Sequence, residues 1–192
     1  MPIQHTMTKP GLRLVAALAL LCLVLSAQAG QLIDAYVEHK DGHYLLNLEM
    51  LVEAPLNNVQ RVMLDTEHLS DLNEIIKQSH LLKSKGSQQW IYLETQSCIW
   101  FFCRTIKQTQ LVTQMAGGYI TAVTLPEESD LEYGKVLWRL QSQGNQTRIS
   151  YSADIVPNFW VPPFIGTWLV RNQLLEECQK TIEGIERRAK QL

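Results

Sequence analysis

The chain has 192 residues, 17 Lys and Arg against 19 Asp and Glu, a formal net charge of −2 and 46% hydrophobic residues. A mildly acidic chain without a basic cluster lacks the electrostatic footprint of a nucleic-acid binder or of a protein held by charge on anionic bilayers. Its length and apolar share suit one domain with a genuine core, and no linker, repeat or low-complexity run divides it.

The N-terminus has the three parts of a secretory leader in order: basic Lys9 and Arg13, the apolar run Leu14 to Ser26, and the small-x-small site Ala27-Gln28-Ala29. That run is 13 residues long, short of the roughly 20 that a spanning helix needs. Leu21 stands before Cys22 where a lipid-attachment signal requires a small residue, so no lipid anchor is expected. The expectation is a signal peptide over 1–29, a single ligand-binding domain over 30–192, and a periplasmic or secreted location. Losing Lys9 and Arg13 with the leader shifts the formal charge from −2 to −4.

The mature chain keeps Cys98, Cys103 and Cys178. The first two bracket Ile99-Trp100-Phe101-Phe102. A pair at this spacing could be half a metal site, but the second pair that zinc requires is missing. A local disulfide is the better reading: if residues 99–102 form a hairpin loop, the two cysteines stand opposite each other in an oxidising compartment. Cys178 falls among apolar residues of a predicted helix and is expected to be a buried, inert thiol.

Segments Leu32 to His39 and His43 to Glu53 alternate around Asp41-Gly42, the pattern of a hairpin, with Leu46, Leu48, Met50 and Val52 on one face. Ala54-Pro55 opens a short helix carrying Leu56, Val59 and Val62 or Met63, followed by a helical turn around Leu69 and Leu72. Strand patterns then run over 75–85, 89–98, 103–115, 119–125, 133–141 and 147–156, parted by glycines and polar loops. Pro162-Pro163 opens the last element, where Phe164, Trp168, Arg171, Leu175, Cys178, Ile182, Ile185 and Ala189 recur at helical spacing. The class is α+β, antiparallel strands and a long C-terminal helix. Strands of this length must curl, and one helix laid in the trough cannot fill it, so an internal hydrophobic cavity is expected.

The segment Val59 to Leu82 resembles the helical signature of START-like polyketide cyclase and coenzyme-Q-binding proteins, with Asp65, Leu69, Leu72, Asn73 and Ile76 in the matching places. Pro157 to Leu175 is similar to the lead-in to that superfamily's closing helix, and with the strand order the resemblance spans residues 31–192. One departure is Glu67-His68, which replaces the usual aromatic, with Asp65 and Thr66 in reversed order. The resemblance implies a helix-grip fold, a curved antiparallel sheet wrapped around the terminal helix, and a deep cavity for lipids, quinones or polyketides. The partner expected is a hydrophobic small molecule or lipid with transient membrane contact, and no nucleic acid. No cofactor is expected. A cyclase or aromatase is the alternative, and a protein-interaction module using the Trp100 tip is a third.

Residues expected to line the cavity are Leu48 and Met50 on the second strand, Leu93, Val123, Trp138 and Tyr151 on later strands, and Trp168, Arg171 and Leu175 on the helix. Each aromatic is also an ordinary core residue, although core-facing and cavity-lining positions coincide in a trough. Arg171 interrupts an apolar stripe, where it either snorkels or anchors a polar head group. His39, His43 and Asp41 could converge on a metal, but solvated turn histidines are the plainer reading and no metal is expected. No histidine has a Ser or Cys partner at a telling spacing, so no catalytic residue is assigned; Glu49, Asp65 and Asp154 are the carboxylates a cyclase could use, and capping or solvation explains each more simply. Asn145-Gln146-Thr147 is expected to be only a turn.

Overall fold

The computed structural model describes residues 30–99, 102–161 and 167–192, and of residues 99, 102 and 167–170 the backbone alone. Residues 1–29, where a leader is expected, residues 100–101, where an aromatic tip is expected, and residues 162–166 lie outside the described residues, as does the Trp168 side chain.

The first hairpin forms as its pattern dictates. β1 (Gln31–Lys40) and β2 (His43–Val52) pair antiparallel from Lys40 opposite His43 onward. The turn needs positive φ at both central positions, and Asp41 (φ 52°) and Gly42 (φ 84°) supply it. On β2, Leu46, Leu48, Met50 and Val52 are buried while Asn47 is exposed. Pro55 then sets the first turn of helix α1 (Leu56–Leu64), which buries Val59 and Val62, and a 3₁₀ turn over Thr66–Asp71 leads into β3 (Ile76–Lys85).

The chain continues as a meander through β4 (Gln88–Ile99), β5 (Phe102–Met115), β6 (Tyr119–Thr124), β7 (Leu131–Gln143) and β8 (Gln146–Pro157). All eight strands form one antiparallel sheet in the order β1-β2-β8-β7-β6-β5-β4-β3. Because β2 pairs with β8, the segment holding α1 must carry the chain from one side of the sheet to its far edge, packing on β7 and β8 on the way.

Helix α2 (Thr167–Ala189) closes the fold. Its 23 residues span roughly 35 Å at 1.5 Å each. It packs on α1, β1, β2 and, at one point, β4. Its stripe Ile182, Ile185 and Ala189 is buried with Val52, Val59, Val62 and Ile149, which places the densest core under the C-terminal half of the helix. Two carboxylates are buried beside that stripe. Glu186 accepts the Glu53 backbone N–H at 3.0 Å and pairs with Lys190; Glu177 accepts the Asn73 side-chain amide at 3.0 Å and Lys180 at 3.2 Å. The apolar periodicity did not show these acids, and their hydrogen bonds are what make their burial tolerable. Gly184 is required by contact: a Cβ there would stand 2.0 Å from the Leu72 carbonyl oxygen.

The structure extends the β4–β5 ladder beyond the expected four-residue loop. Cys98 faces Cys103 and Ile99 faces Phe102, so the strands run to within two positions of each other. Cys98 and Cys103 form a disulfide, with Cα atoms 3.9 Å apart, and Cys178 is free. Of Asn145-Gln146-Thr147, only Asn145 lies in the β7–β8 turn; the Thr147 side chain on β8 is fully buried and its hydroxyl donates to the Ala54 carbonyl at 2.8 Å. Among the described residues, no helix is long and apolar enough to cross a membrane.

Candidate functional site: a cavity between sheet and helices

The part of the concave face that α2 does not fill holds a cavity of about 370 Å³, at the small end of the roughly 300–1,000 Å³ usual for ligand sites. Its floor is the inward-facing set of the central strands: Ile91, Leu93 and Thr95 on β4, then Ile106, Gln108, Gln110 and Val112 on β5. Ile120 and Thr124 of β6, Val136 and Trp138 of β7, and Tyr151 and Ile155 of β8 continue it. The other wall comes from α1 and the 3₁₀ turn, through Met63, Thr66, Leu69 and Leu72, and from Thr181 and Ile185 of α2.

Three of the residues expected to line the cavity do so: Leu93, Trp138 and Tyr151. Trp138 and Tyr151 are directly opposed on β7 and β8, with ring centroids 5.7 Å apart at a tilted angle, and form one aromatic wall. Burial raises the Tyr151 phenol, with the nearby Cys178 adding to it, so it stays a neutral hydroxyl.

The other expected positions fall elsewhere. Leu48 and Met50 belong to the packed core and do not reach the cavity, because the C-terminal half of α2 lies over β1 and β2. Val123 stands on the opposite face, 39% exposed, since Ile120, Ala122 and Thr124 are the buried, inward set of β6. The run Tyr119 to Leu125 carries apolar residues at both parities, so its pattern alone does not say which face turns inward. Arg171 and Leu175 are half-buried on α2, and neither lines the cavity.

The polar lining was missed. Gln108 and Gln110 project into the cavity from one face of β5, and the Gln110 amide N–H donates to Gln108 Oε1 at 2.8 Å. Thr124 pairs directly with Gln110 across the β5–β6 ladder. The signal was present, since Ile106, Gln108, Gln110 and Val112 share a parity, but polar residues on a strand read as a solvent face.

The remaining titratable candidates are engaged outside the cavity. The His43 ring contacts Asp154 at 2.6 Å and His39 stacks on Tyr44, so the two histidines of the first turn go to different partners. Asp65 contacts His68 at 2.8 Å and Arg188 at 2.7 Å. Partial burial pushes its carboxyl up, and the hydrogen bonds from His68 and Arg188 outweigh that and hold it below the ordinary carboxylate range. Glu49 lies 3.7 Å from Arg148. Of the carboxylates a cyclase could use, Glu49, Asp65 and Asp154, none lines the cavity.

Asn73, one of the residues on which the resemblance rests, ties the cavity wall to the helix. Its side-chain amide nitrogen, with two N–H groups, lies 3.0 Å from each of three acceptors, the Glu177 carbonyl, the Glu177 carboxylate and the Thr181 hydroxyl, while its Oδ1 accepts the Ile75 N–H. These bonds fix the 3₁₀ turn against α2 and so hold Leu72 and Thr181 in place as lining.

By sequence, no family model matches the chain and no curated protein matches it. By structure it is similar to a START superfamily protein from Mycobacterium smegmatis, with a TM-score of 0.61 at 18% identity over 78% of this chain and 99% of that one. The STAR-related lipid transfer protein from Xanthomonas axonopodis matches with a TM-score of 0.58 at 16% identity, over 85% of this chain and 99% of that fragment. The Zhui aromatase/cyclase from Streptomyces sp. R1128 gives 0.64 at 14% identity, over 78% and 94%. At 14–18% identity these likenesses show the fold alone, a curved antiparallel sheet with a C-terminal helix. The protein has the START-like helix-grip fold.

Proposed function

We propose that this protein binds a hydrophobic lipid-like or quinone-like molecule in the cavity between sheet and helix, in the periplasm or outside the cell, and carries it between membranes. The observation that supports this reading is the cavity itself. A space of about 370 Å³ walled mainly by aliphatic and aromatic side chains, with a few converging polar groups, is the form of a small-molecule site. The leader sequence and the Cys98–Cys103 disulfide support export.

The route to a membrane is proposed at the Trp160 end. Trp160 is 70% exposed, and its neighbour Phe159 lies under the Arg104 guanidinium at 4.3 Å, one pair below Cys98–Cys103 at the turn end of the β4–β5 hairpin. An exposed indole next in sequence to an aromatic that stacks under a guanidinium suits the bilayer interface.

Gentle purification from the exporting compartment, organic extraction and mass spectrometry test the reading. A hydrophobic molecule should be recovered in stoichiometric amount from the native protein and lost from Val136→Phe, which fills the cavity from its floor. Equal recovery from both proteins would place the ligand elsewhere.

A further inference from the structure

The cavity lining is as informative in its charge as in its hydrophobicity. Among the described residues that form it there is no Asp, Glu, Lys, Arg or His. The stretches after residue 29 that are not fully described read Ile-Trp-Phe-Phe at 99–102 and Pro-Pro-Phe-Ile-Gly-Thr-Trp-Leu-Val at 162–170, and these too contain no ionisable residue. Resting on the cavity-binding reading above, we propose that the site selects uncharged ligands whose polar end is a carbonyl or hydroxyl, and that this end seats on the Gln108–Gln110 amide pair.

The titratable groups nearest the lining supply no counter-charge. Tyr151 on β8 is held neutral by burial, and burial pushes the Cys178 thiol on α2 up to about 11, so both are uncharged from pH 5 to pH 8. Behind Thr181, Glu177 is paired with Lys180, which also contacts Glu176 at 2.9 Å. Behind Thr66, Asp65 is paired with Arg188, and His68 is exposed and turned onto Asp65. A carboxylate or ammonium entering the cavity would leave water and meet no opposite charge, which is far more costly than burying a neutral head group that finds hydrogen bonds.

The amide pair provides those hydrogen bonds. One Gln110 N–H and the Gln108 Oε1 satisfy each other at 2.8 Å. That leaves the Gln108 amide N–H groups and the Gln110 Oε1, on two residues that line the cavity, as a donor and an acceptor for a ligand. Reversing both amides exchanges their places and keeps the same inventory. A hydroxyl can donate and accept there, and a carbonyl can accept.

The test is calorimetric titration of the intact protein with 1-decanol, decanoic acid and decyltrimethylammonium between pH 5 and pH 8, each below its micellar concentration. Decanol should bind with an affinity constant within twofold across the range, which also controls for titration of the protein. Decanoic acid should bind in its protonated form. The cavity raises its pKa above the solution value of about 4.3 typical of a carboxyl, so affinity is full below that value and falls roughly tenfold per pH unit above it. The quaternary ammonium should give no binding. Decanoate at pH 8 binding within threefold of decanol would overturn charge selection while leaving cavity binding standing; binding by none of the three would overturn both. Gln108→Leu should weaken decanol about fivefold to tenfold, and Gln108→Met repeats the measurement should Leu disturb folding. Unchanged affinity in the folded variant would overturn the seating on the amide pair.

Discussion

Gly184 lies inside α2, where alanine would ordinarily stabilise a helix by about 1 kcal/mol. Here the sign should reverse. A Cβ at 184 would stand 2.0 Å from the Leu72 carbonyl oxygen and 2.6 Å from its carbonyl carbon and Cα, all backbone atoms that cannot swing away. Relief requires the helix and the 3₁₀ turn to part by more than about 1 Å, since ordinary van der Waals contact begins near 3.4 Å. That movement would pull the Asn73 amide from the Glu177 carboxylate and the Thr181 hydroxyl. Overpacking costs about 1–3 kcal/mol, and a hydrogen bond to a charged acceptor contributes about 1.5–3 kcal/mol. Set against the helix-propensity gain, Gly184→Ala should lose roughly 2–4 kcal/mol. A domain of this size should then melt about 5–15 °C lower. Thermal unfolding followed by circular dichroism measures it directly. Because Leu72 lines the cavity, decanol affinity should fall as well. A variant that melts at or above the wild type would show that α2 does not pack on Leu72 at this distance.

Replacing Cys98 and Cys103 together by Ser opens a ring closed over a sequence separation of 5, and by loop-closure entropy this should cost about 2 kcal/mol. The melting temperature should drop by roughly 4–8 °C with ligand affinity unchanged, as seen by differential scanning fluorimetry and decanol titration. The Cys178 thiol, pushed up to about 11 by burial, should resist a thiol reagent at pH 8 in the folded chain from residue 30 onward and react only after denaturation. For Asp65, whose folded carboxyl is held below its unfolded value, the stabilisation exists above the unfolded pKa and is lost as pH falls through the folded one. The melting-temperature gap between wild type and Asp65→Asn should therefore be open at pH 6 and close as pH drops below about 4. Trp160→Glu should lower co-sedimentation with phosphatidylcholine vesicles at unchanged melting temperature; equal sedimentation would remove Trp160 from the proposed membrane contact.

Much of the fold was legible because its elements obey their periods. β2 shows the alternation of a half-buried strand, Asp41-Gly42 is the turn its φ values demand, and the stripe through Ile182, Ile185 and Ala189 is the buried side of α2. The site was less legible, for a geometrical reason. Periodicity says which face of a strand or helix turns inward, but not how far the opposite wall stands from it. Leu48 and Met50 turn inward and meet α2; Leu93 and Trp138 turn inward and meet empty space. Nothing in those four side chains distinguishes the two cases. The difference lies in where a helix of 23 residues runs across eight strands.

The glutamines of β5 point to a way past that limit. In a packed interior Gln108 and Gln110 would be costly, because one bond between them leaves most of their amide groups unmet. A strand that keeps Ile106 and Val112 at the same parity has the pattern of a core strand, with polar residues set in its middle. Such local conflicts with the binary pattern gather at functional sites. At this place in the sheet the cavity can relieve the conflict, because it has room for water or for a neutral, hydrogen-bonding ligand that would satisfy the amides.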